Sequence, residues 1–436
     1  MSLHTQVVKK REAGNDTPAL AKFVIEHSKE CFCYKVEGNM RGIVVISNEG
    51  AKWLEKGQTW MYRNNLVRMD DCIQNGDVVD IHTEDGRYMG SGFVSTLSHV
   101  VVRIFTKNRN EELDRDFFKK RIQFAYDYRK TVELNNLTNC RLVFGEADLL
   151  PGLTVDRYND ILVTQISSYG LDIRKDMIYE VLLEVLQNDG QDVKGIYERN
   201  DIQVRVKEGL EMYKGYWRNA DLPTKTIIDE NGLKLHVDVE NGQKTGYFLD
   251  QKSNRVLLRH ITHGKRVLDC FSHTGGFALN AAFGNAKAVT AVDVSQTALD
   301  QGYRNAVLNH IEDRISFVKA DVFKYLENSK RGQFDIIVLD PPAFTKSRKT
   351  VNAAYKGYKY INKQAMELLE PGGYLITCTC SRFMEIDNFE KMLREAALEA
   401  NVTLKQVSIT QQNHDHPILW TMEETSYLKF YIFQIV

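Results

Sequence analysis

The chain has 436 residues, with 57 lysines and arginines against 58 aspartates and glutamates and a formal net charge of −1. That length gives room for about two to four domains, each with its own core. Hydrophobic residues at 43% and only seven prolines exclude a disordered or collagen-like chain, and the near-zero charge excludes nucleic-acid binding by bulk charge alone, though not by a local basic surface.

No apolar run approaches the ~18 residues of a membrane span, and the N-terminus lacks a signal peptide's apolar core. A cytoplasmic protein without a membrane partner is expected. The seven cysteines are odd in number and too thinly spread for a disulfide framework. Cys31 with Cys33 and Cys378 with Cys380 lack the second ligand pair of a zinc site, so no metal is expected.

Residues 1–39 read as an N-terminal extension, with Lys9, Lys10 and Arg11 before a short helix from Pro18 to Lys29. Residues 40–107 carry short alternating strands such as Ile43–Ile46, Val78–His82 and Val100–Phe105, separated by the turns NGD and DGR, and predict a small β-barrel or sandwich. Residues 108–230 open with a helix over Asp114–Val132. A hairpin over 141–167, a helix over about Asp172–Leu186 and strands at GIYERN and QVRVKE follow, a β-β-α-β-β module. From 231 to 436 strand and helix alternate. Strands are predicted at 266–271, 288–295, 315–321, 334–340, 374–381, 404–410 and 427–436, as in an α/β sheet with helices on both faces. The fold class is multidomain α/β with a C-terminal Rossmann-like sheet.

In such sheets ligands sit beyond the carboxyl ends of the strands. The first strand carries Asp269 and runs into Phe271-Ser272-His273-Thr274-Gly275-Gly276-Phe277, where glycines let backbone N–H groups approach a ligand. The spacing is not GxGxxG and suits a ligand without phosphate. Asp293, followed by Ser295, is placed to accept ribose hydroxyls; Asp321 is placed to meet the exocyclic amine of adenine. Asp340 opens the run Asp340-Pro341-Pro342-Ala343-Phe344. Four acids at four successive strand ends form one set.

These residues resemble class I S-adenosylmethionine-dependent methyltransferases. With GQKTGYFLDQ (242–251), Arg255, DCFSHTGGFA (269–278), GYKYIN (357–362), CTCS (378–381), DHP (415–417), YLK (427–429) and the hairpin GEADLLPGLTVDRY (145–158), the chain is more closely similar to the large-subunit ribosomal RNA 5-methylcytosine methyltransferases of the RlmI type. The resemblance implies a PUA-type RNA-binding barrel (40–107), a middle domain (108–230), a methyltransferase domain (231–436) and S-adenosylmethionine as cofactor. It also places Tyr247, Phe248, Gln251 and Arg255 on a hairpin closing over the cofactor; residues 1–39 depart from the family pattern.

Carbon 5 of cytosine is a weak nucleophile, and a thiolate adding to carbon 6 activates it. The resemblance puts that nucleophile at Cys380. Cys378 shares its strand face and competes by spacing alone, but Cys380 is nearer the carboxyl end. Asp340 is positioned to bond the cytosine edge, and Asp415 is the candidate proton acceptor. Pro342-Ala343 stands where another type of RNA 5-methylcytosine enzyme carries a second cysteine. Lys346, Arg348, Lys349, Lys356, Lys359 and Lys363, with Tyr355, Tyr358 and Tyr360, form a basic-aromatic run suited to ribosomal RNA. Arg199, Arg205, Lys207, Lys52, Lys56 and Arg63 are further candidates. The alternatives are a purine methyltransferase that needs no thiol, an RNA-binding assembly factor without catalysis, and a small-molecule methyltransferase, which leaves the barrel unexplained. The oligomeric state stays open between monomer and homodimer.

Overall fold

The computed structural model describes residues 34–36, 39–134, 136–219, 221–345 and 347–436. The expected basic cluster at 9–11, the helix over 18–29 and the pair Cys31 and Cys33 lie outside the described residues. Tyr34–Val36 pairs antiparallel with Asn39–Ile46, so regular structure begins inside the segment read as an extension.

The first sheet has seven strands, the others being Trp60–Tyr62, Leu66–Met69, Val78–Thr83, Tyr88–Val94 and Val100–Thr106. Alternate residues turn inward: Val44 with Ile46, Val79 with Ile81, and Val102 with Ile104 make its core. Cys72 is disulfide-bonded, unlike Cys140, Cys270, Cys378 and Cys380.

The middle region packs helices Arg115–Val132 and Lys175–Asn188 on a five-stranded sheet. Asp114 caps the first helix, accepting from the Phe117 N–H at 2.9 Å. The segment read as one hairpin holds three strands, Asn139–Phe144, Leu153–Tyr158 and Ile161–Ile166. The second helix starts later than expected, after a separate turn at Tyr169–Asp172. QVRVKE is not a strand: Val204–Lys207 is a helical turn. Its geometry lets buried Arg205 donate to the Ile166 carbonyl at 2.8 Å and pair with Asp172 at 2.8 Å, which overrides the alternating V-R-V pattern.

A hairpin, Lys225–Glu230 with Leu233–Asp238, packs Ile228, Leu233, Leu235 and Val237 into the C-terminal core. The expected boundary at 230/231 falls at its turn. The C-terminal sheet comprises β1 (Arg266–Cys270), β2 (Ala288–Asp293), β3 (Ile315–Lys319), β4 (Ile336–Leu339), β5 (Tyr374–Thr379), β6 (Leu404–Thr410) and β7 (Lys429–Ile435). Its order is β3-β2-β1-β4-β5-β7-β6. The five strands β1 to β5 are parallel; β7 runs antiparallel to both β5 and β6. The helices are α1 (Gly276–Phe283), α2 (Gln296–Leu308), α3 (Val322–Asn328), α4 (Val351–Leu368) and α5 (Ile386–Glu399). Successive strand residues enter opposite cores: Val267, Ile336 and Val338 one, Leu268, Ile337 and Leu339 the other. Both faces are therefore buried, which is why these strands read as continuous apolar runs. The sheet order reverses between β1 and β4, and that crevice holds the candidate site.

Candidate functional site

At the end of β1, Asp269 accepts from the Ala278 N–H at 2.8 Å through Oδ2, while its Oδ1 is buried without a hydrogen-bond partner among the described residues. Burial pushes this carboxyl well above the usual range, and Asp340 and Asp293 add to the shift. In the turn that follows, Phe271 (φ 60°), His273 (φ 50°) and Gly275 (φ 80°) are left-handed. Thr274 and Ser272 are buried, and the Ser272 hydroxyl also lacks a partner. A side chain at Gly276 would lie 3.2 Å from Arg255 Cδ and 3.3 Å from the Tyr247 hydroxyl. Glycine is thus what lets the turn pass beneath those residues.

Asp293 accepts from the His273 and Ser295 N–H groups, each at 2.9 Å. The Ser295 hydroxyl caps α2 through the Ala298 N–H at 3.3 Å, and the exposed Asp321 caps α3 through the Lys324 N–H at 3.1 Å. The buried, unspent oxygens at Asp269 and Ser272 fit a ligand rich in amine and hydroxyl hydrogens.

The segment 242–251 lies over this turn. Phe248 meets His273 edge-on with centroids 5.3 Å apart. Arg255 departs from expectation: it grips Glu230 through two 2.7 Å bonds and the Phe248 carbonyl at 2.8 Å. Burial alone would lower its pKa, but the Glu230 charge raises it. Its Nε and Nη2 are spent on holding the loop, so it positions Phe248, while Nη1 makes no hydrogen bond among the described residues.

The end of β4 and the end of β5 meet at one corner. Asp340 Oδ1 accepts from the Cys378 thiol at 3.0 Å and Gln251 Nε2 at 3.3 Å. Burial pushes the Asp340 carboxyl up, and Asp250 pushes it further. Cys378 is fully buried and committed to Asp340; Cys380, one residue past β5, is only partly buried. This separates two cysteines that spacing left level. Burial raises the Cys380 thiol to about 11, Asp340 adds to that, and Lys244 opposes it. Lys429, opposite Thr379 on β7, fixes the next turn by donating to the Ser381 carbonyl at 3.2 Å.

Two residues here carried no expectation of their own. Lys244, left-handed at φ 53°, reaches Asp250 Oδ2 at 2.6 Å and lies 4.5 Å over the Phe248 ring. Tyr427 donates to the same oxygen at 2.7 Å. Both belong to motifs quoted above, GQKTGYFLDQ and YLK; what the sequence withholds is that the two segments meet at Asp250.

Other expectations fail on geometry. Asp415 is not available as a proton acceptor. Its Oδ1 accepts from Asn413 at 2.8 Å and is joined to His416 Nδ1 at 2.7 Å; its Oδ2 accepts from the Arg141 N–H at 3.0 Å. Burial would raise its pKa, but His416 and Lys252 hold it far below the usual range. Tyr358 is wholly buried, accepts from the Thr379 hydroxyl at 2.8 Å and packs on Phe344, so it cannot stack on a base. Lys359 pairs with Glu395 and Glu399 of α5, and Lys363 with Glu367 and Glu399. Tyr360 donates to Glu327. Arg199 and Arg205 are buried and committed to backbone carbonyls. Lys349, Lys356, Lys207, Lys52, Lys56 and Arg63 are exposed, and Tyr355 is half-buried. Lys346 and the Arg348 side chain lie outside the described residues.

A cleft of about 890 Å³ opens elsewhere, lined by residues such as Leu134, Lys252 and Trp420, and includes none of the strand-end acids. No helix among the described residues is long and apolar enough to cross a membrane.

A family model described as S-adenosylmethionine-dependent methyltransferase matches residues 214–433, and one described as a PUA-like domain matches residues 44–107. The ribosomal RNA large subunit methyltransferase I of Aliivibrio fischeri (strain MJ11) is 38% identical over 389 residues, 88% of this chain and 97% of its own. Its namesake from Aeromonas salmonicida (strain A449) is 41% identical over 382 residues, 87% and 95%. A solved chain from Streptococcus mutans, classed as an S-adenosylmethionine-dependent methyltransferase, superposes with a TM-score of 0.76 at 24% identity, covering 90% of this chain and 99% of that one. At that identity the likeness is one of fold. The relatives' names carry no oligomeric state.

Proposed function

Because this chain belongs to the ribosomal RNA large subunit methyltransferase I family, we propose that it methylates carbon 5 of a cytosine in large-subunit ribosomal RNA through a thioether link from Cys380. The observation that carries the reading is the corner where Asp340 holds Cys378 at 3.0 Å and Cys380, the one partly exposed free cysteine among the described residues, follows two residues on, just past the end of β5.

S-adenosylmethionine supplies the methyl group as an electrophile. Asp269, Ser272 and Asp293 offer acceptors for its amine and ribose hydrogens, with Tyr247 and Phe248 as the apolar cover; Arg255 keeps that cover in place. The Cys380 thiol gives its proton to solvent, and the thiolate adds to carbon 6 of the base. The electron pair of the 5,6 double bond moves into the ring, and Asp340 gives its proton to ring nitrogen 3. Carbon 5 then attacks the methyl group. Solvent water takes the carbon 5 proton, the electron pair of that C–H bond re-forms the 5,6 double bond and expels the thiolate, and nitrogen 3 returns its proton to Asp340. A base stacked in a helix must first be flipped out. Lys349 and Lys356, exposed and without ion pairs among the described residues, face the phosphates.

Mapping of 5-methylcytosine by mass spectrometry in ribosomal RNA from cells with and without the protein tests this. One large-subunit cytosine loses its methyl group in the deletion, and purified protein restores it. An unchanged cytosine map sinks the assignment.

A further inference from the structure

Asp250 lies on the turn Leu249–Gln251 and is 2% exposed. Its Oδ2 takes the Lys244 ammonium and the Tyr427 hydroxyl, while its Oδ1 is buried with no hydrogen-bond partner among the described residues. A buried carboxylate oxygen without a donor is costly, and a ligand N–H relieves that cost. The next residue, Gln251, donates to Asp340, so the two carboxylates belong to one corner. The Asp250 charge acts on both Asp340 and Cys380.

Resting on the cytosine reading above, we propose that the free oxygen of Asp250 accepts the exocyclic amine of the target base and, with Asp340 at ring nitrogen 3, selects cytosine over uracil. The surroundings pull the two carboxyls apart. Burial would raise Asp250, but Lys244, His416 and Tyr427 outweigh it and keep that group ionised. Burial and Asp250 itself raise Asp340. Asp340 Oδ1 takes the Cys378 and Gln251 bonds, which leaves its proton to Oδ2. The corner thus shows an acceptor beside a donor. Cytosine presents the complement, an amine donor at position 4 and an acceptor at nitrogen 3. Uracil reverses both, so each carboxyl would meet a like group.

The test uses the full chain and two RNA oligomers that span the mapped site and differ only in cytidine or uridine at the target. Wild type prefers cytidine by at least about 100-fold in kcat/KM, the scale set by unpaired buried polar groups. Asp250→Asn, whose amide can donate to the uracil oxygen, lowers the cytidine rate and shrinks that preference at least tenfold, roughly one lost charged hydrogen bond. A variant slowed equally on both RNAs, with the preference intact, overturns the proposal, because a purely structural role gives that result. If the variant does not fold, the wild type decides: equal rates on cytidine and uridine overturn the proposal. A wild type that binds S-adenosylmethionine and methylates neither RNA overturns the cytosine reading, and this proposal with it.

Discussion

Two buried ionic clusters lie a few residues apart in sequence and differ in one respect. At the junction of the middle and C-terminal regions, every charge is answered. Lys252 meets Glu133 at 2.5 Å and the Asn139 carbonyl at 3.1 Å; Glu133 also takes Asn413 at 2.6 Å; Arg141 grips Asp156 through two 2.7 Å bonds. At the candidate site, Asp250, Asp269 and Ser272 each keep a buried oxygen without a hydrogen-bond partner among the described residues. A satisfied network holds a fold together, whereas unsatisfied buried oxygens tolerated by the fold mark where a ligand completes the structure. Buried charge alone would have nominated both clusters; unspent oxygens separate these two, although single ones also occur elsewhere, at Asp70 and Glu208.

The largest expected effect is at Cys380. Cys380→Ala abolishes methyl transfer, by at least about 10³-fold, since no other thiol can form the link, while calorimetric titration shows S-adenosylmethionine binding within a factor of a few. Substantial residual turnover breaks the covalent scheme and favours a methylation that needs no nucleophile.

At the joint, the loss appears in stability instead. Lys252→Met leaves Glu133 and Asp415 without their cation, and truncating one member of a buried pair costs about 3–5 kcal/mol. Urea unfolding should show the unfolding free energy falling by that amount, seen as a lower midpoint at unchanged slope, with the folded fraction still active. An unchanged midpoint sinks the assignment of this cluster to structure. Asp340→Asn lies between the two. Losing the acid that protonates ring nitrogen 3 slows kcat by about 10²–10³-fold with little change in unfolding midpoint.

Stability against pH gives the two clusters opposite signs. The folded pKa of Asp415 is depressed, so its contribution is present above the unfolded value of about 3.9 and is lost as pH falls through the folded value. The folded pKa of Asp269 is raised, so its contribution is fully present below the unfolded value of about 3.9 and is lost as pH rises from there through the folded value. Asp269→Asn therefore melts above wild type at pH 8, with the gap closing as the solution is acidified, and binds S-adenosylmethionine more weakly. Asp415→Asn melts below wild type at pH 8. Thermal scans at two pH values check both signs.

Much of the architecture could be read from periodicity, because β1, β4 and β5 are apolar on both faces and bounded by turns. The strand-end acids were legible for the same reason: a strand that is located also locates its end. What stayed hidden depends on segments distant in the chain. Asp250 matters because its loop reaches Asp340, and Asp415 fails as a base in part because the Arg141 N–H, far along the chain, occupies its Oδ2. Arg205 in QVRVKE bent an alternating pattern into a helical turn. Tyr358 was the avoidable error. Ala354, Tyr358, Ile361 and Ala365 follow helical spacing and share the buried face of α4, a stripe the sequence already displays.

The same helix supplies the smallest prediction, within one basic run. Lys356 is exposed and free of ion pairs among the described residues, while Lys359, one turn of chain away, is held by Glu395 and Glu399. A lysine that contacts phosphate releases counterions, so removing it weakens binding and lowers the salt slope by about one. Lys356→Met should do this on an rRNA fragment, weakening binding a few-fold. Lys359→Met should leave both affinity and slope unchanged, because its ammonium is already neutralised within the protein. Equal losses from the two variants would mean that the Glu395–Glu399 pairing opens on RNA, and that the whole face of α4, not its free cations alone, meets the phosphates.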